Sequence, residues 1–143
     1  MSEATAPQPA KQPQYKPGER SLAEIITDLS KPIHARHLKQ KTKGGRSMDF
    51  IPWYYAIGYL DLYAPGWSYE IRQAVWSLEG RLILTVRITI PCAEGIFFRE
   101  ATGTEEEPEE GEKMYGDPSS NAESMALRRA AAKFGLGLYL YRK

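Results

Sequence analysis

The sequence predicts an α+β fold in which a three-stranded antiparallel β-meander packs on helices. Apolar and polar residues alternate over 67–71, over 82–90 and from Ile96 to about Thr102, which is the period of strands with one buried face. The turn signals Glu79-Gly80 and Glu94-Gly95 separate these three stretches. Helical patterns precede and follow the strands, so we expect one mixed domain.

Two helices are predicted ahead of the strands. Ser21 and Glu24 form a capping box before an apolar run, so a short helix should occupy roughly residues 21–30. Pro52 suits the first turn of a second helix over about 53–63. One stripe of this second helix is expected to face the core: Trp53, Ala56, Ile57, Leu60 and Tyr63.

A third helix is predicted after the strands, roughly from Ser120 to Phe134, because this stretch is rich in alanine and is followed by Gly135. Small and apolar residues on one side are expected to face the core: Ala126, Leu127, Ala130, Ala131 and Phe134. Three cations form another edge of this helix: Arg128, Arg129 and Lys133. Taken alone, this edge is typical of a solvated helix end that complements the helix dipole.

The 143 residues suffice for about one domain, which we place at 20–143. Residues 1–19 are rich in Pro, Gln, Ala and Lys without periodicity, so they are predicted to be a disordered tail. Residues 104–116 are predicted to be a mobile acidic loop. Seven glutamates against one lysine give residues 100–113 a charge of −6, so the remainder carries +7 although the net charge is +1.

The densest basic stretch runs from residue 31 to residue 46 and contains no acid. One interpretation is phosphate neutralisation, in which Gly44 and Gly45 let a nucleic-acid strand approach the backbone; the other is a solvated loop. Aromatic residues follow directly, a pairing that single-strand binders use for base stacking. We expect most of these rings in the core and one or two exposed: Phe50, Trp53, Tyr54 and Tyr55.

Catalytic and metal sites are not predicted. No P-loop, dinucleotide fingerprint, GxSxG elbow or HExxH motif is present. Cys92 is the sole cysteine, and His34 and His37 lack a third ligand, so we expect these histidines to be exposed or to contact phosphate. No apolar run approaches the roughly 18 residues of a membrane span, and no signal peptide is evident. We therefore expect a cytoplasmic protein that is not an enzyme.

Two motifs carry a resemblance. In GGRSMDFIPWYYAIGYLDLYAPGW, a Gly-Gly pair and an aromatic-Ile entry lead into a helix that ends in Pro-Gly-Trp. The second motif is ALRRAAAKFG in the last helix. Together with the meander between them, they resemble the Rad52 family of single-strand annealing proteins, and within it a bacterial DNA-damage-response branch. The resemblance covers about residues 29–141.

The resemblance implies a β-β-β-α core whose protomers form a closed homo-oligomeric ring. The resemblance also implies that single-stranded DNA lies in a groove around the ring and is held there by its backbone, with the bases facing outward. No cofactor, small-molecule substrate or membrane is implied. The cations implied to line the groove are Lys39, Lys41, Lys43, Arg46, Arg128 and Arg129. The family often has a further cation where this chain has Ala132, so Lys133 beside it is the candidate substitute.

The sequence thus predicts a single-stranded DNA-binding and strand-annealing protein of DNA repair and recombination, in a bacterial or phage, nucleoid-associated setting. Phe50 and Tyr54 are the candidate stacking side chains. Two alternatives stay open. A cap would protect the ends of single strands without annealing them, and a nuclease would use the glutamates with a divalent metal ion.

Overall fold

The computed structural model of the chain describes residues 15–104 and 118–142. Along these residues, two antiparallel sheets are interleaved with helices, and the last helix follows the strands. Short 3₁₀ turns occur at Ala35–His37 and Leu138–Arg142. The elements are α1 (Leu22–Leu29), β1 (Lys39–Lys43), β2 (Arg46–Phe50), α2 (Trp53–Tyr63), β3 (Ser68–Trp76), β4 (Leu82–Cys92), β5 (Gly95–Thr104) and α3 (Pro118–Ala132).

The meander consists of β3, β4 and β5 in that order, all antiparallel, and the prediction of a three-stranded sheet is confirmed. The middle strand pairs Ile88 with Tyr69 of β3 and with Arg99 of β5. Every second residue of β4 is buried from Leu82 to Cys92, so one face of the sheet forms the core. Both outer strands are longer than the alternating stretches indicated.

Helix α3 packs on β4 and β5, and small residues allow its close approach. Ala122, Ala126 and Ala130 are fully buried. The helix comes very near the sheet at Gly103 of β5, where a side-chain carbon would overlap the carbonyl oxygen of Ala122 and the amide nitrogen of Ala126. Both atoms belong to the helix backbone, so α3 can occupy this position only because β5 has no side chain there.

Gly103→Ala is therefore expected to destabilise the fold by roughly 2 kcal/mol, because the added methyl group must push α3 away from the sheet. Urea unfolding of the purified variant measures this loss. The control is Thr102→Ala, at an exposed position of the same strand, which should change stability by no more than about 0.5 kcal/mol. Equal unfolding midpoints for Gly103→Ala and the parent chain would contradict the packing argument.

The capping box of α1 and the bounds of α2 agree with the predictions. The Ser21 hydroxyl accepts from the Glu24 N–H at 3.1 Å, and the Glu24 carboxylate accepts from the Ser21 N–H at 3.1 Å. Ala56 and Leu60 of α2 are buried. Trp53, which was expected to face the core, is 47% exposed. Trp53 lies on the same side of α2 as buried Leu60, two turns further along the helix, so the first turn of α2 extends beyond the core.

The second half of the basic stretch forms β1 and the start of β2 in an antiparallel hairpin, which neither interpretation of the sequence included. The two residues between the strands, Gly44 and Gly45, have φ of 60° and 79°. Positive φ at both central residues is what a two-residue hairpin turn of type I′ requires, and glycine adopts it readily. All five residues of β1 are polar, so the alternation that indicates a strand is missing.

Residues 1–14, 105–117 and 143 lie outside the described residues. Most of the predicted tail and of the predicted acidic loop falls on them, so both stay predictions. Residues 15–19 include a turn in which the Glu19 N–H donates to the Lys16 carbonyl at 3.0 Å. Helix α3 begins two residues earlier than expected and ends two residues earlier, at Ala132, while Phe134 beyond it is fully buried as predicted.

Candidate nucleic-acid interface

A groove of about 520 Å³ opens between the β1–β2 hairpin, α3 and the final 3₁₀ turn, and we call it the hairpin groove. Residues of β1 (40–41), of β2 and its end (46–51), of α3 (125, 128 and 129) and of the C-terminal segment (137, 140 and 141) line it. Its cationic lining residues are Lys41, Arg46, Arg128 and Arg129. The groove therefore joins the two basic segments that the sequence analysis singled out.

The hairpin positions its cations through its register. Lys41 pairs with Met48, and Lys43 pairs with Arg46 next to the turn. Side chains alternate between the two faces of a strand, so Lys39 and Lys41 share one face of β1. A stretch that reads in sequence as scattered lysines thus becomes a row along one strand.

Lys39 lies at the far end of β1 from the turn, beside an exposed aromatic ring. Its Nζ is 5.9 Å from the centroid of Tyr54, which is 43% exposed. A hydrogen bond with Tyr54 raises the pKa of Lys39 above its usual value, so the side chain stays cationic at neutral pH. Lys39 does not line the hairpin groove but extends the basic surface along the hairpin.

Phe50 connects the two basic segments. The Lys41 Nζ lies 5.6 Å from its ring centroid, and the guanidinium carbon of Arg128 lies 5.1 Å from it. Both distances are within the range of cation–π attraction. One half-buried ring therefore contacts a cation of the hairpin and a cation of α3, which keeps the two segments together.

Arg128 and Arg129 are oriented by backbone carbonyls. The Arg128 Nε donates to the Ser124 carbonyl at 3.2 Å, and a terminal guanidinium nitrogen of Arg129 donates to the Thr102 carbonyl at 2.9 Å. A guanidinium carries five N–H donors in a planar fork. The single carbonyl that orients exposed Arg129 therefore leaves it able to bind a phosphate as well.

Lys133 is directed to a different place. Its Nζ donates to the Glu100 carbonyl at 2.7 Å, and it lines a smaller groove beside β5 together with Thr85 and Thr102. Arg129 lines both grooves. Among the predicted site residues, the structure brings Lys41, Arg46, Phe50, Arg128 and Arg129 to one groove and does not bring Lys133 there.

Residues 21–143 match the family model described as Rad52/22 family double-strand break repair protein. The match includes both sides of the hairpin groove. The chain belongs to the Rad52/22 family. The prediction that the chain is a DNA repair protein of this family is thereby confirmed.

Two plant proteins are similar to this Rad52-family chain. It is 38% identical over 123 residues to "DNA repair RAD52-like protein 1, mitochondrial" of Arabidopsis thaliana, covering 85% of this chain and 68% of that protein. It is 40% identical over 125 residues to "DNA repair RAD52-like protein 2, chloroplastic" of the same plant, covering 85% and 61%. These organellar names do not fit the expected bacterial or phage setting, and the closer kinship with a bacterial branch stays a prediction.

The histidine expectation is wrong for His37, which is buried. Its Nδ1 lies 2.7 Å from the Tyr59 hydroxyl, and its ring lies 4.5 Å from that of Tyr55. Burial also raises the pKa of Tyr59 above its usual value, so that hydroxyl stays protonated at neutral pH. His37 therefore fastens the segment before β1 to α2. Exposed His34 accepts from the Arg36 N–H at 3.1 Å.

Metal-binding clusters and membrane-spanning helices are both absent from residues 15–104 and 118–142. No group of three or more His, Cys, Asp or Glu side chains in these ranges could hold a metal ion. In the same ranges, no helix combines the length and the apolar character needed to cross a bilayer. Cys92 is buried, and burial raises the pKa of its thiol above the usual value.

If single-stranded DNA binds in the hairpin groove, Lys133→Ala should reduce the affinity by less than about threefold, because this side chain lies outside the groove and contacts exposed backbone. Titration of a labelled oligonucleotide measures the affinity, and urea unfolding measures the lost contact between α3 and β5. A loss of affinity equal to that caused by Arg128→Ala would mean that Lys133 contacts the strand after all.

Proposed function

We propose that this Rad52-family chain binds single-stranded DNA in the hairpin groove and anneals complementary strands. The observation that carries the proposal is the convergence of Lys41 and Arg46 with Arg128 and Arg129 in one groove. The two pairs are more than 80 residues apart in sequence. Their meeting is therefore a product of the fold and not of a locally basic composition.

The charge of the groove fits a polyanion. Four cations line it against the one carboxylate of Asp49 among its described lining residues. A strand that places phosphates on these cations releases condensed counterions, so its affinity should fall as salt is raised. Contacts to phosphates do not depend on base sequence, and a protein that anneals arbitrary complementary strands needs such contacts.

Annealing follows from holding a strand by its backbone. A strand fixed in an extended path cannot fold on itself, and bases that are not in contact with protein keep their pairing edges available to a second strand. No bond is made or broken, so the proposed activity is not enzymatic. The proposed contacts are Lys39, Lys41, Lys43, Arg46, Arg128 and Arg129, with Phe50 and Tyr54 as stacking partners and Lys133 outside the hairpin groove.

The proposal includes self-assembly, supported by an uncovered part of the meander. Ile71 and Trp76 of β3 pair with buried Val86 and Leu82 of β4, so they lie on the core side of the sheet. Helix α3 packs on β4 and β5, and these two side chains stay 47% and 64% exposed. We call Ile71 and Trp76 the β3 patch. A second copy of the chain would remove it from water.

A second apolar patch lies on β5. Ile96 and Phe98 are 72% and 52% exposed, and they pair with Pro91 and Thr89 on the side of the sheet opposite the core. We call these two residues the β5 patch. Contact between two unlike patches is head-to-tail, and such a contact generates a closed ring when the rotation between neighbours divides a full turn. A ring would align successive hairpin grooves into one track for a strand.

The test is to mix complementary oligonucleotides, one labelled with a donor and one with an acceptor fluorophore, with and without the full chain. Faster pairing with the protein supports annealing. Protection of the strands from an added nuclease without faster pairing would favour an end-protecting cap instead. Shortening of the labelled strands on addition of magnesium or manganese ions would favour a nuclease.

A further inference from the structure

Strand β5 forms one edge of the meander, because β4 is its only neighbouring strand among the described residues. Alternate residues of such a strand direct their N–H and C=O groups away from the neighbour. Here side chains of α3 bond to these groups. The Lys133 Nζ donates to the Glu100 carbonyl at 2.7 Å, and Arg129 donates to the Thr102 carbonyl at 2.9 Å.

A third contact continues the same series. The Thr104 N–H donates to the Met125 sulfur at 3.4 Å. Four residues advance a helix by about 6 Å, and two residues advance a strand by about 6.8 Å, so side chains four apart on α3 can meet every second residue of β5. The contacts join Met125 to Thr104, Arg129 to Thr102 and Lys133 to Glu100. We call the three helix residues the α3 stripe.

Without these contacts, β5 would be a strong template for strand pairing. It is 10 residues long, and Ile96 and Phe98 near its start are 72% and 52% exposed. Long edge strands with exposed apolar side chains recruit strands of other molecules. The stretch that the α3 stripe does not reach, residues 95–98, is shorter than the usual strand of about five to six residues. Closing residues 100–104 therefore removes most of the template.

We infer that the α3 stripe closes the β5 edge against a strand of a second copy of this chain. A sheet with two open edges can add copies without limit. With β5 closed, the meanders of two copies can pair only through β3, and two sheets joined in this way have no open edge left. Edge pairing of the meander therefore ends at two copies. This role of Lys133 and Met125 does not involve DNA.

The test opens two of the three contacts in the full chain. Lys133→Ala with Met125→Leu removes one donor and one acceptor from the edge, and leucine nearly keeps the volume of methionine. Light scattering after size-exclusion chromatography measures the mass over a day. At a concentration at which the parent mass is constant, we expect the mean mass of the variant to rise roughly twofold or more. Hydrogen exchange should then slow in peptides that cover residues 95–104.

Two controls separate edge closure from other effects. Lys133→Arg with Met125→Leu keeps a cationic donor at the end of the α3 stripe and should keep the parent mass. Ile88→Val lowers stability within the buried core and leaves the α3 stripe unchanged. It should also keep the parent mass, because a small loss of stability does not open the β5 edge.

Three outcomes would overturn the inference. An unchanged mass in the alanine and leucine double variant would mean that these contacts do not close the edge. Equal growth in either control would mean that the heavier species arise from lost stability or from altered packing at Met125. Slower exchange only outside residues 95–104 would place the new contact elsewhere. Binding of single-stranded DNA by the parent chain is independent of all three outcomes, so the proposed function would stand.

Discussion

The double variant Arg128→Ala, Arg129→Ala is expected to bind single-stranded DNA roughly 30- to 100-fold more weakly than the parent chain at physiological salt. The Arg128 guanidinium donates to the Ser124 carbonyl and the Arg129 guanidinium donates to the Thr102 carbonyl, and both side chains line the hairpin groove. Their removal takes two of the four lining cations from the groove.

The salt dependence is the sharper measurement. For single strands the slope of log affinity against log salt is about −0.7 per phosphate neutralised, so the slope should become shallower by about 1.4 in the double variant. The control is Lys16→Ala with Lys31→Ala, two exposed lysines outside the groove that change the net charge by the same amount. An unchanged slope in the Arg128, Arg129 variant would refute the groove assignment.

Stability must be separated from binding in this experiment. Arg129 also joins α3 to β5 through the Thr102 carbonyl. Arg129→Lys keeps the charge but loses the planar fork of donors. If phosphate contact dominates, the lysine variant retains most of the salt slope. If the contact with β5 dominates, both the unfolding midpoint and the salt slope of the lysine variant fall toward those of Arg129→Ala.

The elements that could be predicted are those whose signals are local. The capping box of Ser21 and Glu24 depends on residues three apart, and Pro52 marks the start of α2. The alternation in β4 survives because this strand is central and has one side against α3. In each case the signal depends on hydrogen bonds or backbone geometry within one element, or on burial of one face of that element against the core.

The elements that were missed depend on contacts far away in the chain. The β1 strand is wholly polar, so nothing in its own sequence distinguishes it from a loop. His37 looks like one more member of a basic stretch until Tyr55 and Tyr59 of α2 enclose it. The alternation in β3 predicts a buried side for Ile71, but this side chain stays 47% exposed, although nearby Tyr69 of the same strand donates a hydrogen bond to Glu123 of α3.

In the candidate site, too, one part could be predicted from local sequence and the other depends on contacts between distant parts of the chain. The residue types pointed to phosphate contacts, but their convergence required the fold. Helix geometry explains why Lys133 separates from the others: at 3.6 residues per turn, it is rotated by about 140° from Arg128 and by only about 40° from Arg129. Arg129 consequently lies at the seam between the two grooves, and Lys133 lies wholly on the β5 side.

The variant Ile71→Glu, Trp76→Glu is expected to convert the proposed ring into smaller species, with monomer predominating. Burial of two large apolar side chains contributes about 1.5–3 kcal/mol each, and a carboxylate placed in the contact adds the cost of its desolvation. The association constant of neighbouring protomers should therefore fall by more than about 100-fold. Light scattering after size-exclusion chromatography, or native mass spectrometry, measures the mass.

The control carries the same two charges on an exposed side of α1, as Ala23→Glu with Thr27→Glu, and should keep the mass of the parent chain. An unchanged mass in the Ile71, Trp76 variant would remove the β3 patch from the assembly. The groove of each protomer does not include either residue. A strand short enough for one protomer should therefore bind the variant as before, whereas annealing of long strands should slow, because a continuous track requires neighbouring grooves.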